Sequence, residues 1–135
     1  MIYKIIDIQG IGPVYAEKLI GIGIETVDQL LEKGADPKGR QAIEDATGID
    51  HGSVLTWVNH ADLFRVKGVG PQFSELLEAA GVDTVKELHN RNAANLAAKM
   101  AEVNEEKHLC RRTPVEKDVA KFIELAKALE PKVTY

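Results

Sequence analysis

The sequence predicts an all-α fold built from two tandem, pseudo-symmetric units, and three observations carry that prediction. A stretch of 23 residues recurs without gaps 58 positions later. Helix start and stop residues punctuate both copies at matching places. Strand-like alternation is confined to residues 1–8 and 132–135, so no sheet pattern competes.

The repeat aligns IQGIGPVYAEKLIGIGIETVDQL, from Ile8 to Leu30, with VKGVGPQFSELLEAAGVDTVKEL, from Val66 to Leu88. Nine of the 23 pairs are identical, among them Gly10/Gly68, Gly12/Gly70, Pro13/Pro71, Gly23/Gly81 and Thr26/Thr84. Other pairs keep their chemistry, such as Tyr15/Phe73 and Ile24/Val82. Self-similarity at a fixed period signals a duplicated supersecondary unit. The units are expected at 1–63 and 64–135, packed together as one helical domain.

Each element has a local cause. Gly10 and Gly12, like Gly68 and Gly70, permit a tight turn. Pro13 and Pro71 suit the first helical position, where a missing N–H is no loss. Gly23 and Gly81 stop the helices that follow. Thr26 with Gln29, and Thr84 with Glu87, are spaced as capping boxes for the next helix. Asp36-Pro37 opens a third helix in the first unit, and residues 95–103 form its counterpart in the second. A final helix, expected to be the longest of each unit, carries Val54, Trp57 and Val58 in one copy and Val119, Phe122 and Ile123 in the other. Thr113-Pro114-Val115-Glu116 reads as the cap of the last helix. Because the first turn has no helix before it, helix 115–129 is expected to pack on residues 12–20.

Composition narrows the function classes. Hydrophobic residues make up 44% of the 135, enough for an ordinary core. No apolar run approaches a membrane span and no secretion signal opens the chain, which makes a cytoplasmic location the expectation. The single cysteine, Cys110, excludes an internal disulfide framework. Net charge is −4, unevenly placed. Residues 1–63 hold 5 Lys/Arg against 10 Asp/Glu, whereas residues 64–135 hold 12 against 11. An anionic polymer would therefore be met by the second half.

GIGPVYAEKL and GVGPQFSELL resemble the helix-hairpin-helix motif, and their pairing resembles the tandem hairpins of DNA repair and recombination proteins. The whole chain, including DLFRVKGVGP and the segment Trp57-Val58-Asn59-His60-Ala61-Asp62, also resembles a bacterial family of uncharacterised tandem helix-hairpin-helix proteins. The resemblance implies two hairpins gripping double-stranded DNA across the minor groove without strong sequence preference. It also implies hairpin carbonyls able to hold a monovalent cation, and no other cofactor. The physics agrees with phosphate binding, since a glycine turn at a helix N-terminus presents backbone N–H groups and a positive dipole end. Such contacts read the backbone and not the bases.

Side chains around the turns separate the two copies. Lys or Arg often follows the turn in DNA-binding hairpins, but here Val14 and Gln72 stand there. The first turn, Gly10 and Gly12, has only Lys18 nearby, offset by Asp7 and Glu17. The second turn, Gly68-Val69-Gly70, is preceded by Arg65 and Lys67. A further basic group contains Lys107, Arg111 and Arg112. The expected nucleic-acid contacts are thus mainly Arg65, Lys67, the second turn with Gln72, and Lys107, Arg111 and Arg112. Trp57 and Phe122 sit on apolar stripes and are expected in the core, with Tyr15 and Phe73 partly buried. Cys110 is expected to be a buried thiol, with Arg111 and Arg112 able to lower its pKa. No catalytic or metal-ligand constellation is present, so neither an enzyme nor a small-molecule substrate is expected. The alternative reading is a protein-interaction or scaffold module, supported by the acidic first half. RNA is a third expectation that the residues do not separate from DNA.

Overall fold

A computed structural model describes residues 3–135, and its backbone follows the punctuation of the repeat. Two compact units divide the chain, Met1–Asp62 with Lys132–Tyr135, and Leu63–Pro131. The last four residues thus belong with the first unit and not with the second repeat. Thr134 N donates to Ala35 O (2.7 Å), and the Arg40 guanidinium donates to Gly34 O, Ala35 O and Thr134 O (2.9, 3.1 and 2.6 Å). Arg40 also faces the Tyr135 ring at 5.7 Å, and Tyr135 Oη lies 3.3 Å from Asn59 Oδ1.

The first unit holds a 3-10 turn, Ile5–Asp7, then α1 (Pro13–Ile20), α2 (Val27–Gly34), α3 (Pro37–Thr47) and α4 (His51–Leu63). Its strand-like start contributes one antiparallel bridge, Lys4 to Thr26. Thr26 and Gln29 form the capping box of α2, and the Asp36 carboxylate accepts from Gly39 N to cap α3. Among the described residues of this unit, Ile5, Leu19, Ile24, Leu30 and Val58 are fully enclosed. Each such side chain contributes about 1.5–3 kcal/mol.

The second unit holds α5 (Pro71–Ala79), α6 (Val85–His89), α7 (Ala93–Lys107) and α8 (Glu116–Lys127). Its core joins Leu76, Leu77, Leu88, Leu96, Met100 and Val119. α8 packs on α6 and α7. At 15 residues α7 is longer than the 12-residue α8, so the final helix is not the longest here. Pro114 and Val115 precede α8, whose cap is Val115 without a side-chain bond. Thr113 is not the cap, because its hydroxyl instead accepts from Asn104 Nδ2 at 3.1 Å.

Equivalent positions carry equivalent backbone. Gly10 and Gly68 both have φ of 96°, and Ile11 N and Val69 N donate to Ile8 O and Val66 O (3.1 and 3.0 Å). An aromatic ring from the last helix of each unit lies against its own glycine turn. A Cβ at Gly10 would meet Trp57 Nε1 at 3.3 Å, and one at Gly68 would meet Phe122 Cε1 at 3.0 Å. Trp57 pairs with Tyr15 (5.2 Å between centroids) and Phe122 with Phe73 (5.9 Å). Trp57 and Phe122 are core residues, while Tyr15 is 39% exposed. The ring packed on the first turn comes from α4, and α8 supplies the ring for the second turn.

Candidate nucleic-acid interface

The second turn begins as α4 runs out. Val66 N donates to Leu63 O and Val69 N to Val66 O, which drives Val66 and Val69 into the core and leaves Lys67 and Gly68 exposed. Gly70 caps α5 with no side-chain bond, and Pro71 holds the first helical position. The amides of the first helical turn, Gln72 and Phe73, therefore have no side-chain cap, and uncapped helix N-termini are where anions bind.

A second part of the candidate site is the loop between α7 and α8. His108 ends α7 in the left-handed conformation at φ 53°, its N–H donating to Asn104 O at 2.8 Å. The chain then doubles back over Asn104, a buried side chain that makes three hydrogen bonds with it. Asn104 Nδ2 donates to Cys110 O (3.0 Å) and to the Thr113 hydroxyl, while Cys110 N donates to Asn104 Oδ1 (2.8 Å). From this pinned position the Cys110 thiol donates to Gln72 O at 3.3 Å. The exposed Arg111 and Arg112 are thereby carried on a loop tied to the first turn of α5.

The residues expected at the site separate into two groups. Lys67, Gly68, Gly70 and Gln72 adjoin the start of α5, and Arg111 and Arg112 follow Cys110, whose thiol is bonded to Gln72 O. Val69 is 2% exposed and its amide is already bonded, so it contributes packing and no contact. Arg65 is half-buried and donates to Glu130 O at 2.7 Å, which commits it to holding the chain after α8. Lys107 is exposed at the C-terminal end of α7, where a cation complements the helix dipole. Lys18 likewise lies in the last turn of α1, at the opposite end of that helix from Gly10 and Gly12.

Cys110 departs from the expected titration. Burial, with the Glu75 carboxylate adding to it, holds the thiol above its ordinary 9.0, and Arg111 and Arg112 do not reverse that. The thiol serves as a hydrogen-bond donor to Gln72 O. The first unit has no counterpart to the basic loop. Its corresponding connection ends in Asp50, whose carboxylate accepts from Ser53 Oγ (2.8 Å) and Ser53 N (3.0 Å) and is held below its ordinary 3.8 by those bonds, the hydroxyl first.

Leu63 O and Val66 O each accept one amide of the second turn. Asn104 and Cys110 are the residues that sequence reasoning missed as organisers of the loop. An asparagine inside an otherwise regular helix, six residues before a lone cysteine, was the available signal. No helix among the described residues is long and apolar enough to cross a membrane.

A family model described as "Domain of unknown function (DUF4332)" matches residues 9–129. No curated protein and no solved structure matches the chain.

Proposed function

The chain belongs to that family of unknown function, DUF4332, and we propose that it is a tandem helix-hairpin-helix protein that binds double-stranded DNA without sequence preference, chiefly through its second turn. One observation carries the reading: the uncapped start of α5 is bonded through Gln72 O to the loop that holds Arg111 and Arg112. Phosphates would receive the amides of Gln72 and Phe73 at short range, with Lys67, Arg111 and Arg112 supplying charge around them. A monovalent cation on the turn carbonyls would add positive charge beside the phosphate. No base-reading side chain is required, so affinity comes mostly from released counterions.

The first turn contributes less. It shares the backbone geometry but has an acidic setting, and Lys18 lies at the wrong end of α1 to support it. Few cations imply weak, salt-sensitive binding in a cytoplasmic setting, with no catalytic step. The test is fluorescence anisotropy with two unrelated labelled duplexes, a single strand and a duplex RNA over a salt series. The reading expects equal affinity for the two DNA duplexes and a linear fall of log K with log salt. Absence of binding at low salt would instead favour a protein-interaction module, the reading supported by the −5 first half. Preference for the RNA duplex would move the assignment to RNA.

A further inference from the structure

The segment after α8 is held at both ends by a guanidinium. The chain leaves the second unit at Pro131 and joins the first at Lys132. On the near side, half-buried Arg65 donates to Glu130 O at 2.7 Å. Pro131 follows, and a proline keeps the residue before it extended, which helps to fix the direction of that carbonyl. On the far side, Val133 is buried, and Thr134 N and Oγ both donate to Ala35 O (2.7 and 3.4 Å). Arg40 donates to Thr134 O at 2.6 Å and faces the Tyr135 ring.

Neither hold is a locked one. Arg40 is 3% exposed, yet its acceptors are three neutral carbonyls, Gly34 O, Ala35 O and Thr134 O. Its Nε is buried without an acceptor, and no carboxylate pairs with it among the described residues. A charge removed from water without a counter-ion resists burial. Docking of the tail on Arg40 is thus favoured by hydrogen bonds and opposed by desolvation, so the tail can come away. At the other end, the bond from Arg65 to Glu130 O is exposed. Arg65 stands two residues before Lys67 of the second turn, and a guanidinium bonds a phosphate more strongly than a neutral carbonyl.

We propose that residues 130–135 form an autoinhibitory strap: seated, it keeps Arg65 on Glu130 O, and released, it yields Arg65 to a duplex phosphate beside Lys67. The strap acts on the second turn, so it rests on the reading of that turn as a DNA contact. Linkage makes the effect reciprocal, and duplex binding loosens the strap in turn. The test uses the full chain with two variants that leave the net charge unchanged. Thr134→Pro removes the amide that Ala35 O accepts, and Val133→Asn puts a polar group at a buried position. NMR signals of the Tyr135 ring report release. They should move to unstructured-peptide positions in both variants, and toward them when duplex is added to the wild-type chain. Anisotropy should show duplex affinity rising about threefold or more at low salt in both variants, and the slope of log K on log salt steepening by about 0.9, the share of one added cation. Arg65→Gln should cost the Thr134→Pro variant more affinity than it costs the wild-type chain. Released Tyr135 signals with unchanged or weaker duplex binding would overturn the strap and leave the DNA reading standing, as would equal losses from Arg65→Gln in the two backgrounds. Tyr135 signals that neither variant moves would overturn it too. Absence of duplex binding by the wild-type chain and both variants would overturn the DNA reading and the strap with it.

Discussion

Replacing Asn104 by leucine removes the brace of the basic loop while nearly preserving side-chain volume. The substitution deletes three hydrogen bonds and strands the N–H and C=O of Cys110, a residue only 8% exposed. Each buried backbone group left unsatisfied costs about 1–3 kcal/mol, partly offset by the added apolar burial of leucine, so about 2–4 kcal/mol is expected. Unfolding entropy near 2.1 cal/mol/K per residue converts this to a fall in Tm of about 7–14 °C for a chain of this length. Urea unfolding and a thermal melt measure the stability. Anisotropy at a temperature where the variant stays folded measures the loop's role, and duplex binding should weaken along with its salt slope as Arg111 and Arg112 lose their position. A loss below about 1 kcal/mol with unchanged duplex affinity would refute the reasoning that Asn104 holds a phosphate-facing loop.

Three further predictions follow from single features. Gly68→Ala places a Cβ at φ 96° and 3.0 Å from buried Phe122, and should cost about 2–3 kcal/mol, whereas Gly12→Ala, with nothing within 4 Å of the new atom, should cost under about 1 kcal/mol; equal urea midpoints for the two would contradict this. Asp50 is held below 3.8 by Ser53, so its contribution to stability is present above pH 3.8 and is lost as pH falls through the lower folded value. Ser53→Ala should raise the Asp50 pKa in a carboxyl NMR titration. The Cys110 thiol should react slowly with a disulfide reagent at pH 8, since burial first and Glu75 second hold its pKa above 9.0, and Glu75→Gln should speed the reaction. A rate matching a free thiol would overturn the buried-donor role.

Sequence punctuation exposed the architecture because the relevant interactions are local. Thr26 and Gln29, Asp36 and Gly39, and the positive φ of Gly23 and Gly81 act within a few residues of themselves. The periodic placement of Trp57 and Phe122 also marked them as core. What the sequence hid depends on distant pairs. Thr113 looked like a cap for α8, yet Asn104 on α7 claims its hydroxyl. The last four residues looked like the end of the second repeat, yet Arg40 draws them to carbonyls near the end of α2. At the candidate site, the sequence did not show that the Arg65 guanidinium reaches Glu130 O across 65 positions. The tie between the loop of Arg111 and Arg112 and the start of α5 was equally hidden, since it runs through Cys110 and Gln72, 38 positions apart.

The claim that the two turns share a backbone but not a charge setting is tested most directly by comparing Lys67→Glu with Lys18→Glu. Both lysines are exposed, so both variants should keep the wild-type melting profile. Duplex affinity measured over a salt series should fall strongly for Lys67→Glu, and the slope of log K against log salt should shrink by about 1 or more. Lys18→Glu should leave both nearly unchanged. Equal losses from the two substitutions would contradict the account, as would a slope that neither alters.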